Sequence, residues 1–419
     1  MALLMHQQGF FYAMMWLNIY IDSFKGLSKD TWYVAMIYLI NRCGEMVIPF
    51  MSIYLTSQLG FTKTQSGLVL FFFGVGAMMG SNLGGYLTDI IGHIKVMAIS
   101  LFGAGLTFMG IVLFKDFYSL CAWMAFSALF SSMFSPPAFS AVSSWEKEEN
   151  QTRGFSLLRM AINLGVAIGP AIGGFLAYKV GYFSLFLFDG FTCLIAGIVL
   201  LNILKHKIII KTKQPEKELV ESPYKDRTLV IFLLFNLINM IAFFQILFTV
   251  PVYFKEELMM DERLVGAFFT ANGILVFLFE MPLVHRIEKA NKFFPPMILG
   301  AILIGIGYFG LSIFTIPLVA IAWYSLLVAF GEIINFPLIP SLAMIRSTPE
   351  NQGKFMGAVS MMFAASFAFA PLSGLPVVDL IGYTNYWYLV GFFSIASAIG
   401  LHFLRPMFMK NSKSSKGLG

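Results

Sequence analysis

Apolar runs of about 20 residues recur along the chain, each closed by a short polar stretch. At 1.5 Å of rise per residue, such a run matches the ~30 Å hydrocarbon core of a bilayer. The pattern predicts an all-α membrane protein with spans at 32–56, 64–89, 94–114, 117–143, 154–178, 183–204, 228–254, 264–284, 293–314, 317–344, 354–378 and 385–408. Most gaps are too short for a folded domain. The exception, 205–227, "KHKIIIKTKQPEKELVESPYKDR", sets six spans apart from six. The expected organisation is therefore an N-terminal segment 1–31, a half 32–204, a linker 205–227, a second half 228–408 and a basic tail 409–419.

The apolar stretch 10–22 is too short to span. No basic residue precedes it and no small-residue cleavage site follows, which argues against a signal peptide. It reads either as an interfacial amphipathic helix or as part of an over-extended start, with Met14 or Met15 as initiator.

Composition agrees with the pattern. Hydrophobic residues make up 58% and charged residues 12%, against roughly 25% charged in a soluble domain. So much apolar surface must face lipid. The net charge of +6 does not point to nucleic acid, because the basic residues lie in short loops. Cys43, Cys121 and Cys193 fall in apolar segments and suggest neither zinc nor a disulfide framework. The side holding both termini and the even-numbered loops carries 21 Lys and Arg, the other side 5, and Arg42 and Arg159 lie within spans. That bias predicts cytoplasmic termini. The tail "KNSKSSKG" then reads as an orientation signal or a contact for lipid headgroups.

The halves match at an offset of 201: "ENQ" at 149–151 and 350–352, Pro136 with Pro337, Ser140 with Ser341, Pro170 with Pro371, Gly173 with Gly374, and "GY" at 181–182 and 382–383. This is a duplicated six-helix unit. Parallel repeats of that kind place a substrate site at their interface and alternate access by rocking.

With these motifs the chain resembles the major facilitator superfamily over nearly its whole length. "GYLTDIIGHIK" is similar to that family's loop 2–3 signature at Gly85, Leu87, Asp89, Gly92 and Lys95. Ile90 and His93 stand where basic residues are usual, which implies a thinner charge network. "GVAIGPAIGG" resembles the span 5 signature of drug:proton antiporters. Its Gly165, Gly169 and Gly173 form one flat stripe suited to close helix approach, and Pro170 adds a bend. The stripe reads either as tight packing or as a hinge and leak seal. Asp89, at a helix end, reads as a gating carboxylate or a solvated turn residue.

Polar groups inside spans are functional candidates by default. Arg42 lies about 15 Å into span 1, too deep to snorkel, and is expected to line a central cavity or to pair with a neighbouring helix. Glu45, three residues on, reads as its counter-ion or as a proton carrier. Glu332, mid-span in "GEIINFPLIP", has no basic neighbour in sequence. Desolvation disfavours the charged form of an isolated carboxylate, as proton coupling requires. Glu280 lies near the end of span 8. Arg159 and Asn163 share a face of span 5. Gln245 is a midspan amide, either cavity-lining or helix glue. Asp189 and Asp379 read as caps or boundary charges.

A second resemblance is to proton-dependent oligopeptide transporters, through "NRCGEMVIPFMSIYLTSQLG", Gln245, "INLG" and "GEIINFP". Asn41 stands where that family has a glutamate before the arginine, so its proton-coupling carboxylate is missing. No phosphate-cradling G-x-x-x-x-G-K-[ST] is present, which leaves gradient-driven or passive transport. The expectation is a monomeric secondary transporter of the cytoplasmic membrane, needing no cofactor or metal. It would move a small organic or amphipathic solute, as a proton-coupled exporter. The alternatives are proton-driven peptide import and a non-transporting receptor on the same fold.

Overall fold

The computed structural model describes residues 26–44, 46–205, 222–290, 292–314, 316–347 and 352–410, which are nearly all helical. Eleven helices among them are long and apolar enough to cross a membrane. Span 1 is Lys29–Gln58, span 2 Lys63–Ile91, span 3 His93–Leu113, span 4 Phe117–Trp145 and span 5 Arg153–Lys179. Span 6 is Phe183–Leu204, span 7 Arg227–Glu256, span 8 Glu262–Ile287, span 9 Phe294–Ile313 and span 10 Pro317–Ile345. The eleventh helix, Lys354–Met409, is interrupted at Gly382, where φ is 75° and ψ 164°. Its arms, 354–381 and 383–409, coincide with the expected spans 11 and 12 and take those names below. The expected interfacial helix, most of the 205–227 linker and most of the basic tail lie outside the described residues.

The sequence repeat reappears as geometry. Gly181 and Gly382, repeat partners, both adopt positive φ, 105° and 75°, between consecutive spans. Glycine takes that conformation without a Cβ clash. Pro136 and Pro337 also match. Span 4 breaks between Ser132 and Ser135, and span 10 between Asn335 and Leu338. Proline lacks the N–H that would continue a helix and fits its first turn better. Span 1 is broken too, between Gly44 and Val47. Span 5 stays helical through Pro170, inside Glu148–Lys179.

Contacts sort the spans into two groups built alike. Span 1 packs on 5 and 6, span 2 on 4, and span 3 on 4 and 6. Each contact recurs six spans later: 7 with the 11–12 helix, 8 with 10, and 9 with 10 and the 12 arm. Three seams join the groups, between spans 5 and 8, 2 and 11, and the second piece of span 1 and span 7.

These seams are tight at the end carrying the odd-numbered loops. A Cβ on Gly74 would sit 2.4 Å from Ala368 Cα, and one on Gly266 2.4 Å from Pro170 O. Backbones touch there because no side chain intervenes. The same end is latched by charge. Lys63 Nζ lies 2.9 Å from Glu256 and 3.8 Å from Asp379. Tyr383 Oη donates to Glu256 at 2.8 Å. Tyr182 Oη and Lys255 Nζ each donate to Glu262 Oε1 at 2.7 Å.

The opposite, even-loop end has come apart between spans 2 and 11. In the register of the Gly74–Ala368 contact, Gly85 would lie near Gly357. Yet a Cβ on Gly85 finds only Pro136 of its own group, at 4.0 Å, and one on Gly357 finds nothing within 4 Å. Along the 2–11 seam the groups are closed at one end and parted at the other.

Candidate functional site

Where the glycine contacts of the 5–8 seam run out, side chains bridge it. Arg159 and Asn163 stand one helical turn apart on span 5, so both face span 8. Arg159 Nη2 pairs with Glu280 Oε1, and Asn163 Nδ2 donates to Glu280 Oε2 at 2.9 Å. Glu280 is 8% exposed, whereas the Arg159 side chain is 47% exposed. Span 10 adds Glu332. Its carboxylate lies beside the Asn272 side chain of span 8 and within electrostatic reach of Glu280 and Arg159. Glu332 is the sixteenth of the 29 residues of Pro317–Ile345. It is therefore about 20 Å along the helix from either end, at mid-membrane depth.

Two features define what this cluster can do. The first is charge: two carboxylates share one guanidinium, so with both ionised the set carries one excess negative charge. A single proton or one cationic group balances it. The second is a missing bond. Asn272 is 9% exposed, and its Oδ1 has no hydrogen-bond partner among the described residues. A buried unsatisfied acceptor costs about 1–3 kcal/mol, which a ligand carrying a donor would recover.

The structure thus unites Arg159, Asn163, Glu280 and Glu332, which were separate candidates. Glu332 is not isolated, as its sequence neighbourhood suggested. Its partners arrive from spans 5 and 8, invisible to local reading. Glu280 is buried although it lies near the end of span 8, because Arg159 and Asn163 cover both of its oxygens. Gln245 is not brought to this cluster. It is fully buried and bonds Ile241 O, Ala370 O, Ser373 Oγ and Thr249 Oγ1, tying span 7 to span 11.

Arg42 is half-buried, with its guanidinium 5.2 Å from the Tyr38 ring centroid, and its backbone packs on Gly165. Glu45 lies outside the described residues. The stripe of Gly165, Gly169 and Gly173 receives Arg42, Cys43 and Met46 and so seats span 1 on span 5. Pro170 meets Gly266 across the seam.

At loop 2–3, Gly92 turns the chain at φ 87° and Lys95 is exposed. Asp89 is exposed too, with no hydrogen bond or ion pair among the described residues. Asp189 corrects the boundary-charge expectation: it is 1% exposed inside span 6, beside Gly44 at the break in span 1. Asp379 does sit at a boundary, near Lys63.

Sequence reading missed Asn272, although a lone amide in "TANGILVF" is itself an intramembrane polar signal. It also missed the latch around Lys63 and Glu262, whose members looked like ordinary loop charges.

A family model described as the Major Facilitator Superfamily matches residues 34–371. The chain is 26% identical over 409 residues to the uncharacterized MFS-type transporter YqjV of Bacillus subtilis (strain 168), covering 94% of this chain and 98% of that one. It is 20% identical to a Na(+), Li(+), K(+)/H(+) antiporter of Planococcus maritimus, over 86% and 92% of the two chains. It is 24% identical to the quinolone resistance protein NorA of Staphylococcus aureus (strain COL), over 78% and 84%. Among solved structures, a POT family transporter in complex with 5-aminolevulinic acid superimposes with a TM-score of 0.78 at 16% identity, over 92% of this chain and 98% of that one.

Proposed function

Starting from a chain that belongs to the Major Facilitator Superfamily and is a multi-pass membrane transporter, we propose that it exports a small organic or amphipathic solute from the cytoplasm in exchange for protons. The observation that carries this reading is the Arg159–Glu280–Glu332–Asn272 cluster. It lies within the membrane-spanning helices at the interface of the two six-span groups, and with both carboxylates ionised it is one positive charge short of balance. Relatives named as a proton antiporter and a quinolone resistance protein support exchange and export.

In this reading 32–204 and 228–408 are the two halves, and both termini are cytoplasmic. The 21:5 split of basic residues supports that orientation. The parted even-loop end then opens inward, and the protein sits in the cytoplasmic membrane. A solute entering from the cytoplasm places a donor or cationic group against Asn272 Oδ1 and Glu332. Glu332 gives up its proton as it does so. The halves rock, Asp89 and the Gly85 face close the inner end, and the latch around Lys63 opens. Outside, a proton replaces the solute on Glu332. Each ligand biases the two-state interface only by its different affinity for the two arrangements.

The test is transport in proteoliposomes with an internal pH reporter, using a fluoroquinolone or a cationic dye. Under an imposed proton gradient the wild type should drive solute against the proton flux, and Glu332→Gln should remove the coupling while the protein stays folded. Dipeptide accumulation down the proton gradient would establish symport instead. No flux under any gradient would leave a receptor.

A further inference from the structure

A groove of about 580 Å³ opens between spans 8, 9 and 10 at the even-loop end. Leu283 and Ile287 of span 8, Leu299 and Leu303 of span 9, and Phe330 and Ile334 of span 10 form its walls. Phe330 and Ile334 lie on the side of span 10 opposite Glu332, since positions two residues apart on a helix diverge by about 200°. The groove is thus separate from the ion-pair cluster. Beneath it is a small hydrophobic core of Val276, Ala329, Ile333 and Ile334, distinct from the two larger cores.

The mouth of the groove is positively charged. Arg286 and Lys292 line it, both exposed, and no carboxylate among the described residues does. Span 9 begins there at Phe294, so the positive end of its helix dipole adds to the field. From Phe294 to Leu303 the trough runs about 14 Å along the helix. One leaflet of a ~30 Å hydrocarbon core is about as deep. Basic above and apolar below, the groove matches one kind of molecule in the surrounding membrane.

We propose that this groove binds an anionic phospholipid, with its phosphate between Arg286 and Lys292 and one acyl chain in the trough. Only the choice of leaflet, the cytoplasmic one, rests on the orientation proposed above. Zwitterionic lipids of equal chain length fill the trough as well but bring no net charge to its mouth.

Native mass spectrometry of the purified full-length protein, with added phosphatidylglycerol or phosphatidylcholine of matched chains, tests this. The wild type should retain phosphatidylglycerol about thirtyfold more strongly, the preference expected of two basic side chains at an anionic surface. Arg286→Ala with Lys292→Ala should bring the two lipids to near parity, and the charge-keeping pair Arg286→Lys and Lys292→Arg should preserve the preference. Leu303→Trp, which fills the trough, should lower retention of both lipids. Equal retention by the wild type, or undiminished phosphatidylglycerol binding in the double alanine variant, overturns the proposal. So does displacement of the lipid by inorganic phosphate with no effect of Leu303→Trp, which would mean an anion site without a chain-binding trough.

Discussion

Glu280 is buried among apolar helices, and Arg159 and Asn163 occupy both of its oxygens. Removing one partner of such a pair costs more than the pair is worth, since the other charge is left uncompensated. Arg159→Ala should therefore lower stability by about 2–3 kcal/mol at neutral pH. Adding Glu280→Gln should restore most of it, because the stranded charge is gone. Thermal melts of the single and double variants measure this coupling. Asn272→Ala belongs to the same scale. It removes an unsatisfied acceptor, so stability should hold while KM for a cationic solute rises about fivefold to tenfold, the loss of one hydrogen bond to the ligand. An unchanged KM would mean that Asn272 only positions Glu332.

Between elements, two clamps tie span starts to later loops. At the start of span 1, Glu146 accepts from Ser28 N at 2.8 Å and Thr31 Oγ1 at 2.6 Å. At the start of span 7, Asp226 caps the helix through Thr228 N and Leu229 N and takes two bonds from Arg346, at 2.6 and 2.9 Å. Arg346 also donates to Phe408 O at 2.7 Å, so spans 7, 10 and 12 meet at one guanidinium. Burial pushes the Asp226 carboxyl upward, but the Arg346 and N-cap bonds outweigh it and hold it below the usual carboxylate range.

A carboxyl lowered in the folded state stabilises it above the unfolded value, near 3.9. That contribution fades as pH falls through the folded value. Asp226→Asn should thus cost about 3 kcal/mol at pH 7 and progressively less below about pH 4, read as converging melting temperatures. The 2–11 seam offers a second test. Gly74→Leu should destabilise the closed odd-loop end, where Ala368 leaves no room. Gly85→Leu meets open space here, so it should leave melting unchanged. It should nonetheless abolish transport if that end must close in the cycle.

For the whole molecule, function depends on how two similar groups rest against each other. The latch of Lys63 with Glu256 and Asp379 is partly exposed, with side chains 21%, 35% and 37% accessible. Such a pair contributes at most about 1 kcal/mol, so Lys63→Ala should shift the balance toward the opposite state by about fivefold. Spin-label distances across the odd-loop end would report the shift. An unchanged distribution would assign the closure to the glycine contacts alone.

What could be read from the chain alone follows from local physics. Span lengths, the duplication, the loop charge bias and the polar positions inside spans all repeat over a few residues or at a constant offset. The membrane bundle and four residues of the ion-pair cluster, Arg159, Asn163, Glu280 and Glu332, were legible as intramembrane polar positions that way. So was the stripe at Gly165, though not that span 1 is what fills it. Their assembly was not legible. Arg159 meets Glu280 across 121 residues, and Asn272 reaches Glu332 from another span. The distance of Gln245 from the cluster, the burial of Asp189 and the parting of Gly85 from Gly357 were likewise decided only by packing. A helix sequence specifies which faces are polar, but the rotation and tilt of neighbouring helices decide which of those faces meet.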